Sequence, residues 1–435
     1  MHCHTAQDLI FICATTSEMD PTLAFKFGID TVLSCGDSLE ALKRNRFALV
    51  AHPASVTTEL VHSLDALAAA GALPHCVFGP QHGARGDKQD NMIETEDFVD
   101  PKYNIPVHSL YGAHRRPTEA MLRDVDLIVF DLQDVGCRVY TFLTTLHYLL
   151  EAAGQNDIPI WVLDRPNPAG RQIDGLALEY GEESFVGTAQ IPMAHGLTLG
   201  EMAGWLNDTF KIGASLTVKK MEGYELESWH QSAWPLSQPW VNPSPNASSV
   251  NMARLFSGTV LLEGTILSEG RGTTTPLEIL GAPELDVATL IETLRADGGF
   301  ALGGTLLRPC FFEPTFHKHA GTLCAGLQFH TEHPNYQPER HLPYTLMAIA
   351  LRSIRRQLGS SIWRSHEYEY ERGRLPIDVI TGGSRFREWV DSSDTSIASL
   401  CSWIEKDRNR WFRARENYCL YQSPQFEPLA MEAYP

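Results

Sequence analysis

From about residue 28 onward, short apolar runs that end in polar side chains alternate with segments of helical period, and no other feature constrains the fold as strongly. The runs are Phe47-Ala48-Leu49-Val50-Ala51, Cys76-Val77-Phe78-Gly79, Asp126-Leu127-Ile128-Val129-Phe130 and Pro159-Ile160-Trp161-Val162-Leu163. Each is apolar almost throughout, as a strand covered on both faces must be, and the alternation is that of βα units around a parallel sheet. Between the runs, Thr58 to Ala70 sets Leu60, Val61, Leu64 and Leu67 on one side of a helix, and Thr141 to Ala153 is similarly amphipathic. Gly71 and Gly154 stand where helix C-termini favour a residue tolerant of positive φ. The reading is an α/β fold, with a doubly wound parallel sheet domain over residues 26–220.

The pattern changes near residue 225. Trp234-Pro235, Gln238-Pro239-Trp240, Asn242-Pro243 and Ser244-Pro245 form a connector in which each residue before proline is pushed out of helix. Beyond it lie β-like runs (Gly258 to Leu262, Leu323 to His330) and two helices, about 341–357 and 394–405, so a second, smaller α+β domain is expected over 221–435. A chain of 435 residues has room for both, and a hydrophobic fraction of 43% supports a real core. With 35 Lys+Arg against 53 Asp+Glu the formal charge is −18, which argues against nucleic-acid binding through bulk charge. Nine cysteines form no CxxC pair, so neither a disulfide scaffold nor a zinc ribbon is indicated. The run Leu9-Ile10-Phe11-Ile12-Cys13-Ala14 is shorter than the core of a signal peptide and lacks a basic segment before it, so a soluble, cytoplasmic protein is expected.

In an open parallel sheet, ligands bind beyond the carboxyl ends of the strands. The polar residues that follow the four runs are His52, Gln81-His82, Asp131 with Asp134, and Asp164-Arg165. No GxGxxG follows the first run and no GxxxxGK[ST] occurs, which removes dinucleotide and P-loop sites and implies no nucleotide cofactor. HExxH and GxSxG are absent too, and the alternating pairs His317-Lys318-His319 and His2-Cys3-His4 fit strand or tail features better than metal ligands. The long loop Gly79 to Glu96, punctuated by glycines and carrying Asp87, Asp90, Glu94 and Glu96, has the form of a functional loop. Ser268-Glu269-Gly270-Arg271-Gly272-Thr273-Thr274 combines a carboxylate, a guanidinium and hydroxyls between glycines, a set suited to a polyhydroxylated or carboxylated ligand.

Taken together, these segments resemble the NamZ-type exo-β-N-acetylmuramidases. The matching words are Gly28-Ile29-Asp30, Pro80-Gln81-His82-Gly83 with Arg85-Gly86, Val107-His108-Ser109-Leu110-Tyr111-Gly112, Phe130 to Phe142, Leu163 to Pro168 and Pro192 to Thr198. Pro243-Ser244-Pro245-Asn246, Glu263-Gly264-Thr265, Ser268 to Thr274 and Pro314-Thr315-Phe316 follow in family order. The resemblance implies a Rossmann-like domain and a smaller one around a cleft, and a cofactor-free glycoside hydrolase that removes N-acetylmuramic acid from the non-reducing end of peptidoglycan fragments. Many members of the family read Pro-Glu-His-Gly where this chain has Gln81, and an amide cannot donate a proton as a carboxylic acid does.

Glycosidic cleavage needs a protonated carboxyl at the leaving oxygen and a second group at the anomeric carbon. The resemblance, with Gln81 in place of the acid, makes Glu94 the expected general acid, with His82 and Asp134 tuning it or placing water. The 2-acetamido group of the sugar offers substrate assistance in place of a protein nucleophile. Its lactyl carboxylate calls for a cation, for which Arg138 and Arg271 are the candidates and Arg85 the third. Gln81, Tyr140, Asn167, Ser268, Glu269 and Thr273 complete the expected substrate contacts. The alternative classes are a non-catalytic muropeptide- or sugar-binding protein, favoured by Gln81, and a metal-dependent amidase or deacetylase.

Overall fold

The computed structural model describes residues 24–86, 88, 93–224 and 233–421. Seven strands form the larger sheet: β1 (Phe47–Ala51), β2 (Cys76–Gly79), β3 (Phe98–Val99), β4 (Pro106–Ser109), β5 (Leu127–Asp131), β6 (Ile160–Leu163) and β7 (Leu216–Lys219). Their spatial order is β3-β4-β2-β1-β5-β6-β7. Only β3 runs antiparallel to its neighbour; the other pairings are parallel. The chain therefore moves outward from β1 through β2 and β4, then returns to the other side of β1 for β5, β6 and β7. In an open parallel sheet such a reversal, here between β1 and β5, marks the usual place of a ligand crevice at the strands' carboxyl ends.

Period-two alternation explains why β1 and β5 occupy the centre. Ala48, Val50, Ile128 and Phe130 face one hydrophobic cluster, which includes Leu143, Leu146 and Leu150 of the helix Phe142–Gln155. Phe47, Leu49, Leu127 and Val129 face a second cluster, built with Ile29, Leu42 and Leu67 from helices on the opposite side. A strand buried on both faces can carry no polar residue until it ends, so the four apolar runs were readable as strands.

The remaining strands, β8 (Ile279–Ala282), β9 (Leu306–Phe312) and β10 (Cys324–His330), form an antiparallel sheet in the order β8-β10-β9. The first cluster continues into this part through Met252, Leu290, Leu327, Tyr344 and Leu351, so the two sheets share one core. The last long helix, Ile397–Arg415, returns to the larger sheet's side. There the Trp411 indole and the Arg415 guanidinium donate to the carbonyl of His195 at 2.7 and 2.9 Å. The proline- and tryptophan-rich connector is itself packed: Trp234 and Trp240 meet edge to face at 4.9 Å, and each indole N–H donates to a backbone carbonyl. Among the described residues no helix is long and apolar enough to cross a membrane.

Some expected elements shift. Gly258 to Leu262 is not a strand: the helix Val250–Thr259 runs into a tight 3-10 turn, Val260–Gly264, and its apolar residues are buried on all sides. The helix expected over 58–70 begins only at Ser63, because Leu60 takes φ 60° and His62 caps the first turn. Gly71 does adopt positive φ, whereas Gly154 lies inside the helix Phe142–Gln155. The helices expected at 341–357 and 394–405 are Pro343–Leu358 and Ile397–Arg415.

Candidate active site

Most strand-end residues of the larger sheet are consumed by the fold itself. Asp131 accepts both arms of Arg165, at 2.6 and 3.1 Å, and a further hydrogen bond from Ser63. The buried His52 ring sits on the backbone N–H groups of Ala54 and Gln133, and burial lowers its pKa well below the usual histidine value. Asp164 accepts from Tyr421 and Thr198 at 2.7 and 2.8 Å, and burial, then the charge of Glu201, pushes it up to about 6. Such interlocking leaves the loop after β2 and the segment after β5 to form one wall of a pocket. Gln81, His82, Val139, Tyr140 and Thr141 supply that wall.

The opposite wall comes from the second half of the chain. Ser244 and Asn246 arrive from the connector, Phe256 from a helix, Glu263 from the 3-10 turn, and Arg271 from the glycine-rich segment. Tyr368 and Glu369 complete it, on a tight turn closed by a bridge between Tyr368 and Glu371. Three residues of this pocket hold left-handed backbone without being glycine: His82 (φ 68°), Leu277 (φ 61°) and Glu369 (φ 47°). Strain of this kind costs roughly 1–3 kcal/mol per residue and gathers where function over-determines geometry.

Among the described residues, two carboxyl groups face the pocket, in unlike surroundings. Glu263 accepts from Arg271 at 2.7 Å and from the Tyr368 hydroxyl at 2.6 Å. Glu369 accepts from the Gln81 amide at 3.1 Å and from the Tyr111 hydroxyl at 2.6 Å. Burial pushes Glu369 up to about 7; the Tyr111 and Gln81 donors and Arg115 oppose that rise, and the charge of Glu263 adds to it. Behind Glu263, Arg271 also reaches Glu269 at 2.8 Å, and Lys318 reaches Glu269 at 2.7 Å. Burial acts to raise Glu269, but Lys318, His317 and Arg271 together outweigh it and hold that carboxyl well below the usual carboxylate range.

Of the site residues expected from sequence, Gln81, His82, Tyr140 and Arg271 line the pocket. Glu94 does not: its side chain is 53% exposed and lies 3.7 Å from Arg115, whose guanidinium stacks on Tyr111 and Tyr370. Arg138 is fully buried away from the pocket and donates to the carbonyls of Leu176, Ile191 and Ile380, tying together segments distant in sequence. Burial lowers its pKa to about 10. Arg85 stacks over Phe98, 4.5 Å from the ring centroid, and lines a separate recess with residues of β3 and β4. Asp134 is buried beside His195 at 3.6 Å and accepts from the Gly136 N–H. Asn167 donates to the Leu197 carbonyl, while Ser268 and Thr273 bond to Gly270 and shape the turn around Arg271. Asp87 and Asp90 of the long loop, and His2 and His4, lie outside the described residues. His317 and His319 sit in a turn at φ 68° and 56°, with His317 against Glu269.

Sequence reasoning missed Glu369, Tyr368 and Tyr111 as site residues and saw Glu263 only as part of a matching word. The stretch His366-Glu367-Tyr368-Glu369-Tyr370-Glu371-Arg372 alternates charged and aromatic residues and matches none of the motifs that marked the other site segments. The signal lay in the two buried tyrosines, not in the glutamate.

The chain is similar to known proteins along most of its length. The models described as exo-β-N-acetylmuramidase NamZ, N-terminal and C-terminal, match residues 47–251 and 254–421. The chain is 38% identical over 397 residues to the peptidoglycan β-N-acetylmuramidase NamZ of Bacillus subtilis, covering 91% of each sequence. Two solved structures of DUF1343 family proteins from Bacteroides fragilis superpose with TM-scores of 0.78 and 0.71, at 26% and 25% identity. Each covers 92% of this chain and is itself covered in full.

Proposed function

The chain belongs to the NamZ family of exo-β-N-acetylmuramidases, and on that premise we propose that its pocket removes N-acetylmuramic acid from the non-reducing end of peptidoglycan fragments. It is a glycoside hydrolase by family. The observation that carries the reading is the meeting of Glu263 and Glu369 in one pocket with different partners, since glycosidases work with paired carboxyl groups of unlike ionisation. Tyr140, Ser244 and Asn246 add polar atoms among apolar side chains, the mixture that orients a sugar. Arg271 brings positive charge to the same wall, and the lactyl carboxylate is its proposed partner.

The same reading takes the larger sheet as a Rossmann-like domain over 26–220 and the remainder as the domain that closes the cleft. A cytoplasmic site of action belongs to the proposal too, and cell fractionation tests it. Incubation with a muramic acid–glucosamine disaccharide tests the activity. Free N-acetylmuramic acid is the expected product, and saturable binding without release would instead make the protein a sugar-binding module.

A further inference from the structure

We infer that Glu369 protonates the departing sugar oxygen, and that the Gln81 amide and Tyr111 hydroxyl are positioning residues that aim it. The inference rests on the proposed muramidase reading. Glu263 is held by the Arg271 guanidinium at hydrogen-bond distance, and Glu269 by Arg271 and Lys318, which keep the Glu269 carboxyl well below the usual carboxylate range and make it a poor proton donor. The two donors on Glu369 are neutral. Their orientation is set from behind: the Thr141 hydroxyl donates to the Gln81 amide oxygen at 2.7 Å, which turns the amide nitrogen toward Glu369. The turn that carries Glu369 holds two consecutive non-glycine residues in left-handed backbone, Glu369 and Tyr370, so the carboxyl is presented by a strained support.

In the step itself, the proton moves from Glu369 to the glycosidic oxygen as the bond to the anomeric carbon breaks and its electron pair stays on that oxygen. Water adds at the anomeric carbon, and its surplus proton restores the protonated carboxyl over the cycle. The groups that face Glu369 are Tyr111, Arg115 and Gln81 from the larger sheet's side, Glu263 and Arg271 across the pocket, Tyr368 and Tyr370 on its own turn, and His82 on the loop. With these neighbours and its burial the carboxyl holds its proton up to about pH 7.

Glu369→Gln tests the assignment with two substrates. On the disaccharide, whose leaving alcohol needs protonation, kcat falls by ~10²–10⁴-fold. On a dinitrophenyl muramide, whose leaving group departs as a stable anion, the loss stays below ~10-fold. The alkaline limb of kcat/KM near pH 7 disappears in the variant, and Gln81→Leu, which removes a donor to the ionised form, moves that limb to higher pH. Equal losses on both substrates, or an alkaline limb that survives Glu369→Gln, would overturn the assignment. Infrared difference titration is independent of turnover: a carboxyl stretch titrating near pH 7 is present in the wild type and absent in Glu369→Gln. A wild type that cleaves neither substrate sinks the muramidase reading, whereas a Glu369 stretch that titrates in the ordinary carboxylate range sinks this one.

Discussion

Asp131, at the end of β5, and Glu369, on the turn across the cleft, are both buried and both hydrogen-bonded on each carboxylate oxygen. Asp131 is gripped by a guanidinium and a serine, Glu369 by an amide and a phenol. A cation at contact compensates a buried negative charge, whereas neutral donors only replace the water that was lost. Asp131 thus serves as a strut that joins β5 to the loop after β6. Glu369 is left poised near its proton equilibrium, which is what acid–base chemistry at neutral pH requires.

Removing the compensating cation breaks the comparison most severely. Arg165→Met leaves Asp131 buried without its partner and is expected to cost about 3–5 kcal/mol of stability. Urea denaturation measures this. The double variant Asp131→Asn/Arg165→Met should recover a large part of the loss, because no uncompensated charge remains. A double variant as unstable as the single one would show that Arg165 acts through packing on Phe27 rather than through charge.

Glu369 shows the opposite behaviour. Its folded-state pKa is raised from 4.5 to about 7, so between those values the folded protein holds a proton that the unfolded chain releases. Stability therefore declines as pH rises through this window, by up to about 3 kcal/mol at 1.36 kcal/mol per unit. Glu369→Gln lacks that decline and should be more stable than the wild type at pH 8, with little difference at pH 4. Urea midpoints at the two pH values check it, and parallel pH dependence in both proteins would locate the burden elsewhere.

The same contrast explains what could be read from the sequence. The central strands were legible because burial on both faces forces unbroken apolar runs, as in Phe47–Ala51 and Leu127–Asp131. Strand β4, next to the edge, and the edge strand β7 carry partly exposed residues, and their mixed pattern gave no such signal. Gln81, His82 and Arg271 sit in glycine-bounded words whose turns are local, so their importance was visible. Arg138 lies in an equally prominent word but serves three backbone carbonyls from distant segments, and no local pattern separates a ligand-binding arginine from a structural one. Glu369 becomes a site residue only when the last third of the chain folds back against Tyr111 and Gln81, contacts 258 and 288 residues away in sequence.

Glu94 provides the smallest expected effect and the sharpest control. Loop logic makes it the proton donor, yet its carboxylate is 53% exposed, sits 3.7 Å from Arg115 and is not among the residues that line the pocket. An exposed ion pair of this kind is worth ~0–1 kcal/mol, so Glu94→Gln should change kcat/KM by less than about fivefold. Loss of a proton donor costs ~10²–10⁴-fold. Measured on the same disaccharide, the ratio of the Glu369→Gln loss to the Glu94→Gln loss is therefore expected to exceed about tenfold. An inverted ratio would instead make Glu94 the proton donor and Glu369 the bystander.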